Sequence, residues 1–281
     1  PRLVGRGDNL CHCDRDYRVG TTQSPKKIVI FALRMTFDEL DILLRDEVQA
    51  AIEANIERDP LRVALDRSVV ASSAVASAVK YLQRARRKLP SYYAARCVIP
   101  QRAFEQSSSE ETAAHKRGEG THCLDLTCGL GVDAYYLSKR FARVTTVERD
   151  EVLAAITRHN LKLLGVDNVV VENCSAEEYL AKTTDHFDWI FVDPDRRGEN
   201  GEKLVLLEEC SPNVVELFPR ILEVADALCI KSSPLFDTAE AERKFGDCSV
   251  EVLSLAGECK QVNIYVDGKA PTISAAAVGV G

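Results

Sequence analysis

No apolar run in this 281-residue sequence approaches the roughly 20 residues that a membrane-spanning helix needs. The longest runs, such as the one around Ile190 to Val192, have the length of a strand and are interrupted by charge. An excess of positive charge is missing too, because the formal net charge is −7. That value argues against a protein that coats nucleic acid non-specifically, although a local basic patch can still bind it. We predict a soluble, cytoplasmic protein without membrane association.

Regular cysteine spacing is also absent. The ten cysteines are spread over strand-like and helix-like segments, and no signal peptide precedes them, so we predict reduced thiols rather than a disulfide scaffold. The triplet Cys11-His12-Cys13 has no second ligand pair at zinc-like spacing nearby. No metal site is predicted.

Methionine occurs once, at Met35, directly before a helical pattern. Residues 1–34 show neither helical nor strand periodicity, so we predict a disordered or non-native leader and a natural start at Met35. At the other end of the sequence, residues 271–281 are predicted to form a tail.

Helical periodicity covers the next part of the chain. Apolar residues recur at helical spacing from Phe37 to about Ala54, a second helical stretch follows Pro60, and a third runs from about Ser73 to Lys88. We predict a small helical domain over residues 35–105.

The segment from Lys80 to Arg102 contains seven Lys or Arg and no acid, interleaved with Tyr81, Tyr92 and Tyr93. Charge mixed with aromatic faces suits contacts with the backbone and bases of nucleic acid. A solvated helix face with tyrosines packed beneath it explains the same composition equally well.

Beyond a polar linker from Gln106 to Gly120, strand-like and helix-like segments alternate, which is typical of a parallel sheet covered on both faces. The strand-like segments are His122 to Thr127, Arg143 to Glu148, Asn168 to Asn173, Phe187 to Asp193, Ala227 to Lys231, Ser249 to Leu255 and Gln261 to Val266. The last two are joined around Gly257 with no room for a crossover helix, so they should form an antiparallel hairpin. We predict an α/β fold with a Rossmann-like, seven-stranded methyltransferase sheet over residues 106–270.

The segment from Asp125 to Gly131 follows an apolar strand and precedes a helix that begins near Val132. Ligands of open α/β sheets bind at this carboxyl edge of the strands, where glycines allow close approach and a helix N-terminus offers free N–H groups. Glu148, at the end of the next strand, lies where an acid takes both ribose hydroxyls of a cofactor. An acid inside the loop suits a cationic sulfonium better than a pyrophosphate, so we predict S-adenosylmethionine rather than a nicotinamide dinucleotide.

The predicted cofactor site extends to the third strand, where Ser175 begins a helix near the expected position of the adenine. Ser175 can instead form a capping box with Glu178. The full predicted set is Asp125, Thr127, Cys128, Gly129, Gly131, Asp133, Glu148, Arg149, Ser175, Ala176 and Asp193.

A polar run that begins at Asp193 follows the apolar fourth strand. We predict that Asp193 is catalytic, because its carboxylate can accept a hydrogen bond from a substrate N–H or O–H and orient the lone pair toward the methyl group. Asp195, as a second acid, and Arg196 complete the predicted catalytic set. In the alternative interpretation, Asp193 is a cap and Arg196 and Arg197 are its ion-pair partners.

Substrate contacts are predicted where arginines can clamp a phosphate or carboxylate and where the fifth strand reaches the same edge. These residues are Arg196, Arg197, Lys231, Ser232 and Pro234. Methylation of a pyrimidine carbon would need a cysteine nucleophile there. We predict against that chemistry, because the fifth strand ends in serines while Cys128 lies in the cofactor loop and Cys229 inside a strand.

Five separated motifs, in this order, resemble the bacterial THUMP-like, class I methyltransferase family common in Bacteroidetes, over about Met35 to Val266. They are Gln106 to Ala113, Asp125 to Asp133, Asp193 to Arg197, Lys231 to Pro234 and Glu258 to Lys260. The resemblance implies an RNA-modifying enzyme with a helical N-terminal domain, cofactor contacts at Asp125, Gly129, Gly131 and Glu148, and a cofactor-side lid from Gln106 to Thr112. Longer members continue into a THUMP-like C-terminal domain, which we expect this chain to lack.

Three functions follow as hypotheses. The first is methylation of RNA, at a base nitrogen, with the segment from Lys80 to Arg102 gripping phosphate. The second is methylation of an anionic small molecule, and the third is a non-catalytic module that retains the fold to bind nucleic acid or a partner protein. The target nucleotide, the methylated atom and the oligomeric state are left open.

Overall fold

The structure, a computed structural model, describes residues 34–196, 204 and 206–279. The triplet Cys11-His12-Cys13, the leader apart from Arg34, and Arg197 lie outside the described residues. Within the described part, seven helices precede the first strand. They are α1 (Phe37–Leu43), α2 (Asp46–Asn55), α3 (Pro60–Leu65), α4 (Ser72–Lys88), α5 (Pro90–Ala94), α6 (Gln101–Gln106) and α7 (Glu110–His115).

The helix predicted from Phe37 to Ala54 is two helices, because Arg45 between them has an extended backbone. Thr36 and Glu39 form a capping box at the start of α1, and the side chain of Gln49 donates to the carbonyl of Leu43 at its end. Periodicity missed the break because the buried face continues across it, with Val48 of α2 as buried as the apolar residues of α1.

The polar linker predicted from Gln106 to Gly120 contains α7, whose N-cap is Ser109. Its first residue, Glu110, is buried and accepts hydrogen bonds from the backbone N–H and hydroxyl of Ser91 and from the hydroxyl of Tyr136. A polar sequence here therefore fixes helices to one another rather than connecting them loosely, because these buried polar groups find partners in the protein.

The sheet has eight strands in the described residues, one more than predicted, in the order β3-β2-β1-β4-β5-β7-β6-β8. They are β1 (Gly120–Asp125), β2 (Phe141–Val147), β3 (Val169–Glu172), β4 (Trp189–Val192), β5 (Leu228–Ser232), β6 (Ser249–Leu255), β7 (Glu258–Val266) and β8 (Ile273–Val278). The helices between them are α8 (Val132–Leu137), α9 (Glu151–Leu163), α10 (Ala176–Lys182), α11 (Val214–Val224) and α12 (Thr238–Phe245). All seven predicted strands are present.

The predicted hairpin is confirmed, because β7 pairs antiparallel with both β5 and β6, while the strands from β3 to β5 are parallel. The additional strand, β8, pairs parallel with β6 within residues that the sequence assigned to a tail. Three consecutive alanines, Ala275 to Ala277, give this edge strand a low β-propensity, so the sequence did not indicate it.

The N-terminal helices share one hydrophobic cluster with the helices that cover the sheet. Tyr92 and Leu89 belong to this cluster together with Leu130, Val132 and Ile156 from the cofactor loop, α8 and α9. A second cluster occupies the other face of the sheet around α10, α11 and α12. None of the described helices is long and apolar enough to cross a membrane.

Candidate functional site

The carboxyl ends of the central strands meet at one edge of the sheet, as a parallel sheet requires. β1 ends at Asp125, β4 ends directly before Asp193, and β5 ends at Ser232. The turn between β6 and β7 lies at the same edge. Val262 of β7 pairs with Ser232 at the end of β5, and the residues of β7 before Val262 extend past that end toward the turn. The fold thus places Asp125, Asp193 and Ser232, which are far apart in the chain, at the one edge where the sequence predicted them.

The loop after β1 depends on two glycines with left-handed backbone conformations, Gly129 at φ +53° and Gly131 at φ +81°. A Cβ at Gly131 would lie 2.6 Å from Cγ2 of Thr157, whereas a Cβ at Gly129 would meet nothing within 4 Å. The loop therefore packs against α9 on one side and is open at Gly129. Thr157 also fixes the loop, because its hydroxyl donates to the carbonyl of Gly129 at 2.9 Å.

Asp125 is completely buried beneath this loop. Its Oδ1 accepts the backbone N–H of Thr127 at 2.9 Å, and its Oδ2 accepts the hydroxyl of Thr146 at 2.8 Å. Burial raises the pKa of Asp125 to about 7, with a further increase from the nearby carboxylate of Asp133, although the two hydrogen bonds oppose the change. A positive charge placed near Asp125 would favour its ionised form.

Glu148 directly follows β2 and reaches back to the loop. Its Oε2 accepts the backbone N–H of Gly129 and its Oε1 accepts that of Asp150, both at 2.9 Å. Burial raises the pKa of Glu148, and the two backbone hydrogen bonds partly offset that increase. The carboxylate is held at the mouth of the glycine loop, where the sequence predicts an acid for the ribose.

Asp193 is fixed from two sides at the end of β4. Its backbone N–H donates to the hydroxyl of Thr127 at 2.7 Å, and its Oδ2 accepts the ammonium of Lys231. Burial alone would lower the pKa of Lys231, but the charges of Asp193 and Asp133 outweigh this effect and raise it. The lysine is therefore an ammonium ion, and it holds a carboxylate whose side chain is 20% exposed.

A family model described as Conserved hypothetical protein 95 matches residues 103–210. An uncharacterized S-adenosylmethionine-dependent methyltransferase of Mycobacterium tuberculosis is 27% identical over 170 residues, which cover 60% of this chain and 45% of that protein. A candidate methyltransferase of Porphyromonas gingivalis W83 with a solved structure is 28% identical, with a TM-score of 0.71 over 83% of this chain and 59% of that one. The chain contains a domain with the class I methyltransferase fold.

The relatives also include a tRNA/tmRNA (uracil-C(5))-methyltransferase of Neisseria meningitidis, 29% identical over 127 residues that cover 39% of this chain and 35% of that protein. The chain thus spans less than half the length of these curated relatives. The similarity to these proteins, together with the Rossmann-like sheet that the sequence predicted, supports S-adenosylmethionine-dependent methyl transfer.

The loop of the methyltransferase domain fits S-adenosylmethionine by its charge and shape. The carboxylates of Asp125 and Glu148 suit a cationic cofactor with a ribose, and they would repel a pyrophosphate. Gly129 leaves open space above the loop. The contacts of individual residues with the cofactor stay predictions.

Several other predicted cofactor residues have structural roles. Asp133 is buried and paired with Lys116, and Cys128 is buried in a thiol form because burial raises its pKa. Ser175 forms the predicted capping box with Glu178 at the start of α10.

The remaining two members of that set differ in exposure. Ala176 is buried in the first turn of α10. Arg149 is exposed and donates to the hydroxyl of Ser211 at 2.9 Å. Neither side chain accepts or donates a hydrogen bond to the loop residues described above.

Asp195, predicted as a second catalytic acid, faces α6. Arg102 lies 3.4 Å from its Oδ2, and the amide of Gln106 donates to its Oδ1 at 3.2 Å. The backbone carbonyl of Arg196 accepts the N–H of Leu204 at 2.7 Å. The contacts of Asp195 with Arg102 and Gln106 attach the segment after β4 to α6.

The predicted substrate residues on β5 differ in exposure. Lys231 is buried and bonded to Asp193 and Ser108, whereas Pro234 is exposed. Ser232 is completely buried, and its hydroxyl has no hydrogen-bond partner in the described part of the chain. Its complete burial leaves no surface that a substrate could contact without a local rearrangement, so the predicted substrate role of Ser232 stays a prediction.

The basic segment is mostly engaged within the protein. Tyr81 and Tyr92 are buried and cannot stack on bases, as the packing explanation of this segment requires. Four of the arginines pair with acids, in the pairs Arg84–Glu105, Arg86–Glu57, Arg96–Glu53 and Arg102–Asp195.

The other basic side chains of this segment divide by exposure. Lys88 donates to the carbonyl of Phe104, and burial, with the charge of Lys231, lowers its pKa to about 8. Lys80 and Arg87 are exposed. These two side chains leave a smaller basic surface on α4 than the sequence indicated.

Sequence reasoning did not name Ser108 or Lys116 as a site residue, although Ser108 falls within the predicted lid from Gln106 to Thr112. Both are buried and both contact Asp133. A serine in a run of three serines and a lysine between a helix and a strand carry no periodic signal, so periodicity did not show that these two side chains are buried.

Proposed function

We propose that the methyltransferase domain transfers the methyl group of S-adenosylmethionine to RNA. The observation that supports this most directly is Asp193, a partly exposed carboxylate held at the carboxyl edge by Thr127 and by the buried ammonium of Lys231. The name of the Neisseria relative, a tRNA/tmRNA methyltransferase, supports RNA as the acceptor.

The chemistry needs positioning more than acid–base strength. The cofactor supplies an activated methyl group. Asp193 accepts a hydrogen bond from a substrate N–H or O–H and thereby directs the lone pair of that atom. Because Lys231 already occupies one carboxylate oxygen, the other oxygen is the one available to the substrate.

A nitrogen acceptor agrees better with the site than the uracil carbon that the Neisseria relative is named for. Attack through carbon requires a thiolate that adds to the base. Cys128 and Cys229 are buried, and burial raises the pKa of Cys229 to about 12, so both are thiols at neutral pH. β5 ends in Ser232, and no cysteine follows it directly. We therefore keep a base nitrogen as the proposed target.

We also propose that the chain is related most specifically to the THUMP-like methyltransferases of Bacteroidetes. The five ordered motifs support this relation, as does the similarity to the Porphyromonas protein over 83% of this chain. In this proposal Arg196 and Arg197, beside Asp193, contact a phosphate of the RNA.

Methyl transfer from tritium-labelled S-adenosylmethionine to unfractionated bacterial tRNA and rRNA tests the proposal. Asp193→Asn should lower the rate at least about 100-fold, because the amide keeps the shape but loses the charge that accepts the substrate hydrogen bond. Asp185→Asn, at an exposed position, is the matched control and should have the rate of the unaltered protein.

Calorimetric titration separates the cofactor from the acceptor. S-adenosylmethionine should bind and NAD should not, and Asp125→Ala should weaken the binding. If the cofactor binds but no RNA fraction is labelled, RNA is the wrong acceptor and an anionic small molecule replaces it. If well-folded protein binds no cofactor, the proposal fails as a whole.

A further inference from the structure

Ser108, in the turn between α6 and α7, lies between two buried ion pairs. Its hydroxyl donates to Oδ2 of Asp133 at 2.9 Å, and Nζ of Lys231 donates to it at 3.1 Å. Asp133 is also paired with Lys116, and Lys231 with Asp193. The five side chains form one continuous series of charges and hydrogen bonds.

The direction of each hydrogen bond in this series is determined. A serine hydroxyl has one proton, and a carboxylate can only accept, so Ser108 must donate to Asp133. Its oxygen is then free to accept from Lys231, which has donors for both Ser108 and Asp193. No alternative arrangement of protons satisfies all of these partners.

The series connects elements that are distant in the chain. Asp133 lies in the first turn of α8, directly after the glycine loop, and Asp193 follows β4. Ser108 comes from the N-terminal helices and Lys231 from β5. The hydroxyl of Ser108 therefore connects α8, through Asp133, to the carboxylate of Asp193, through Lys231.

We propose that Ser108 is a positioning residue for methyl transfer, which acts by holding Lys231 so that its ammonium fixes the carboxylate of Asp193. This inference rests on the proposed role of Asp193. Without the serine oxygen, the ammonium loses an acceptor in a site from which water is largely excluded, and it turns toward another partner. The carboxylate then loses its fixed orientation, although it keeps its charge.

The effect belongs to the chemical step rather than to cofactor affinity. Ser108→Ala should lower kcat on the labelled RNA about tenfold, because small misplacements of reacting groups are costly, and should leave KM for S-adenosylmethionine within about twofold. Ser108→Thr, which keeps the hydroxyl, should recover most of kcat. Ser138→Ala, at the end of α8, is the matched control, since in the described residues that hydroxyl donates to the carbonyl of Tyr135.

A double-mutant cycle distinguishes positioning from a loss of folding. If Ser108 acts through Lys231, the Ser108→Ala change has little further effect on kcat in a Lys231→Met background. Fully additive losses, or a kcat unchanged by Ser108→Ala alone, would overturn the inference. Circular dichroism and thermal unfolding establish that each variant is folded.

A measurement without substrate keeps the inference testable if RNA proves to be the wrong acceptor. In protein labelled with ¹⁵N-lysine, the Nζ signal of Lys231, assigned with Lys231→Met, should shift in Ser108→Ala and not in Ser138→Ala. An unshifted signal contradicts the inference, whereas absent RNA methylation contradicts only the proposed function.

Discussion

At the scale of single residues, Asp125 gives the fold a dependence on pH. Its pKa is about 7 in the folded protein, against 3.8 for an exposed aspartate, because burial disfavours the charge. The folded state thus binds a proton that the unfolded state has lost, so stability from this group is present below pH 4 and falls as pH rises to about 7. At about 1.4 kcal/mol per pKa unit, the loss amounts to a few kcal/mol.

Asp125→Asn should remove this dependence. Asparagine can still accept the N–H of Thr127 through its oxygen and can donate to the hydroxyl of Thr146. Urea unfolding at pH 5 and pH 8 measures the difference in the free energy of unfolding, which should be smaller in the variant than in the unaltered protein. Asp167→Asn, at an exposed position, serves as the control. Equal pH dependence in all three proteins would contradict the raised pKa of Asp125.

Ser232 offers a test in which stability and activity separate. Its buried hydroxyl has no partner among the described residues, so Ser232→Ala should leave the free energy of unfolding unchanged or slightly increased. Ser249→Ala should cost about 1 kcal/mol, because that hydroxyl accepts the backbone N–H of Thr272. If Ser232 contacts the acceptor, its variant alone should lower kcat/KM for methyl transfer. A stability loss as large as that of Ser249→Ala would mean that the hydroxyl has a partner in the fold.

At the scale of elements, the two glycines of the loop after β1 differ in the space around them. Gly129→Ala should cost about 1–2 kcal/mol, because alanine disfavours a positive φ but meets open space. Gly131→Ala should cost more, since its Cβ would also lie 2.6 Å from Thr157. Urea unfolding of the two variants measures the difference. Equal costs would show that α9 yields to the added methyl group.

The elements that the sequence predicted best are those with long periodic patterns. The alternation of strands and helices identified all seven strands it named, and the end of each strand identified Asp125, Glu148 and Asp193 as neighbours. β8 was not predicted, because its alanines form an edge strand without an alternation of apolar and polar residues. The break between α1 and α2 was not predicted, because the spacing of buried apolar residues continues across Arg45.

At the scale of the whole molecule, what the sequence could not predict are contacts between distant segments. Its position at the end of the fifth strand placed Lys231 among the predicted substrate residues, and the folded chain pairs it with Asp193 and Ser108. The position of Asp195 after the fourth strand placed it in catalysis, and the chain pairs it with Arg102 of α6. A sequence does not distinguish a buried polar residue from an exposed one. Only the packing of the N-terminal helices against the sheet decides whether such a side chain pairs within the protein or is exposed. The predicted division of domains at residue 105 likewise stays a prediction.

The same packing decides where RNA can be bound electrostatically. Most cations of the segment from Lys80 to Arg102 pair internally, so only exposed side chains such as Lys80 and Arg87 can release counterions from phosphate. If α4 contacts RNA, the double variant Lys80→Ala with Arg87→Ala should reduce the slope of log K against log salt by about 1.5. Fluorescence anisotropy with labelled single-stranded RNA, at salt concentrations from about 50 to about 200 mM, measures the slope.

A second pair of cations provides the control for that experiment. Arg143 and Lys162 are exposed and lie at the opposite, amino edge of the sheet, near the start of β2 and the end of α9. Replacing both by alanine changes the net charge equally but should leave the slope nearly unchanged, because contact with phosphate rather than total charge sets it. Equal slopes for both double variants would show that α4 does not hold RNA.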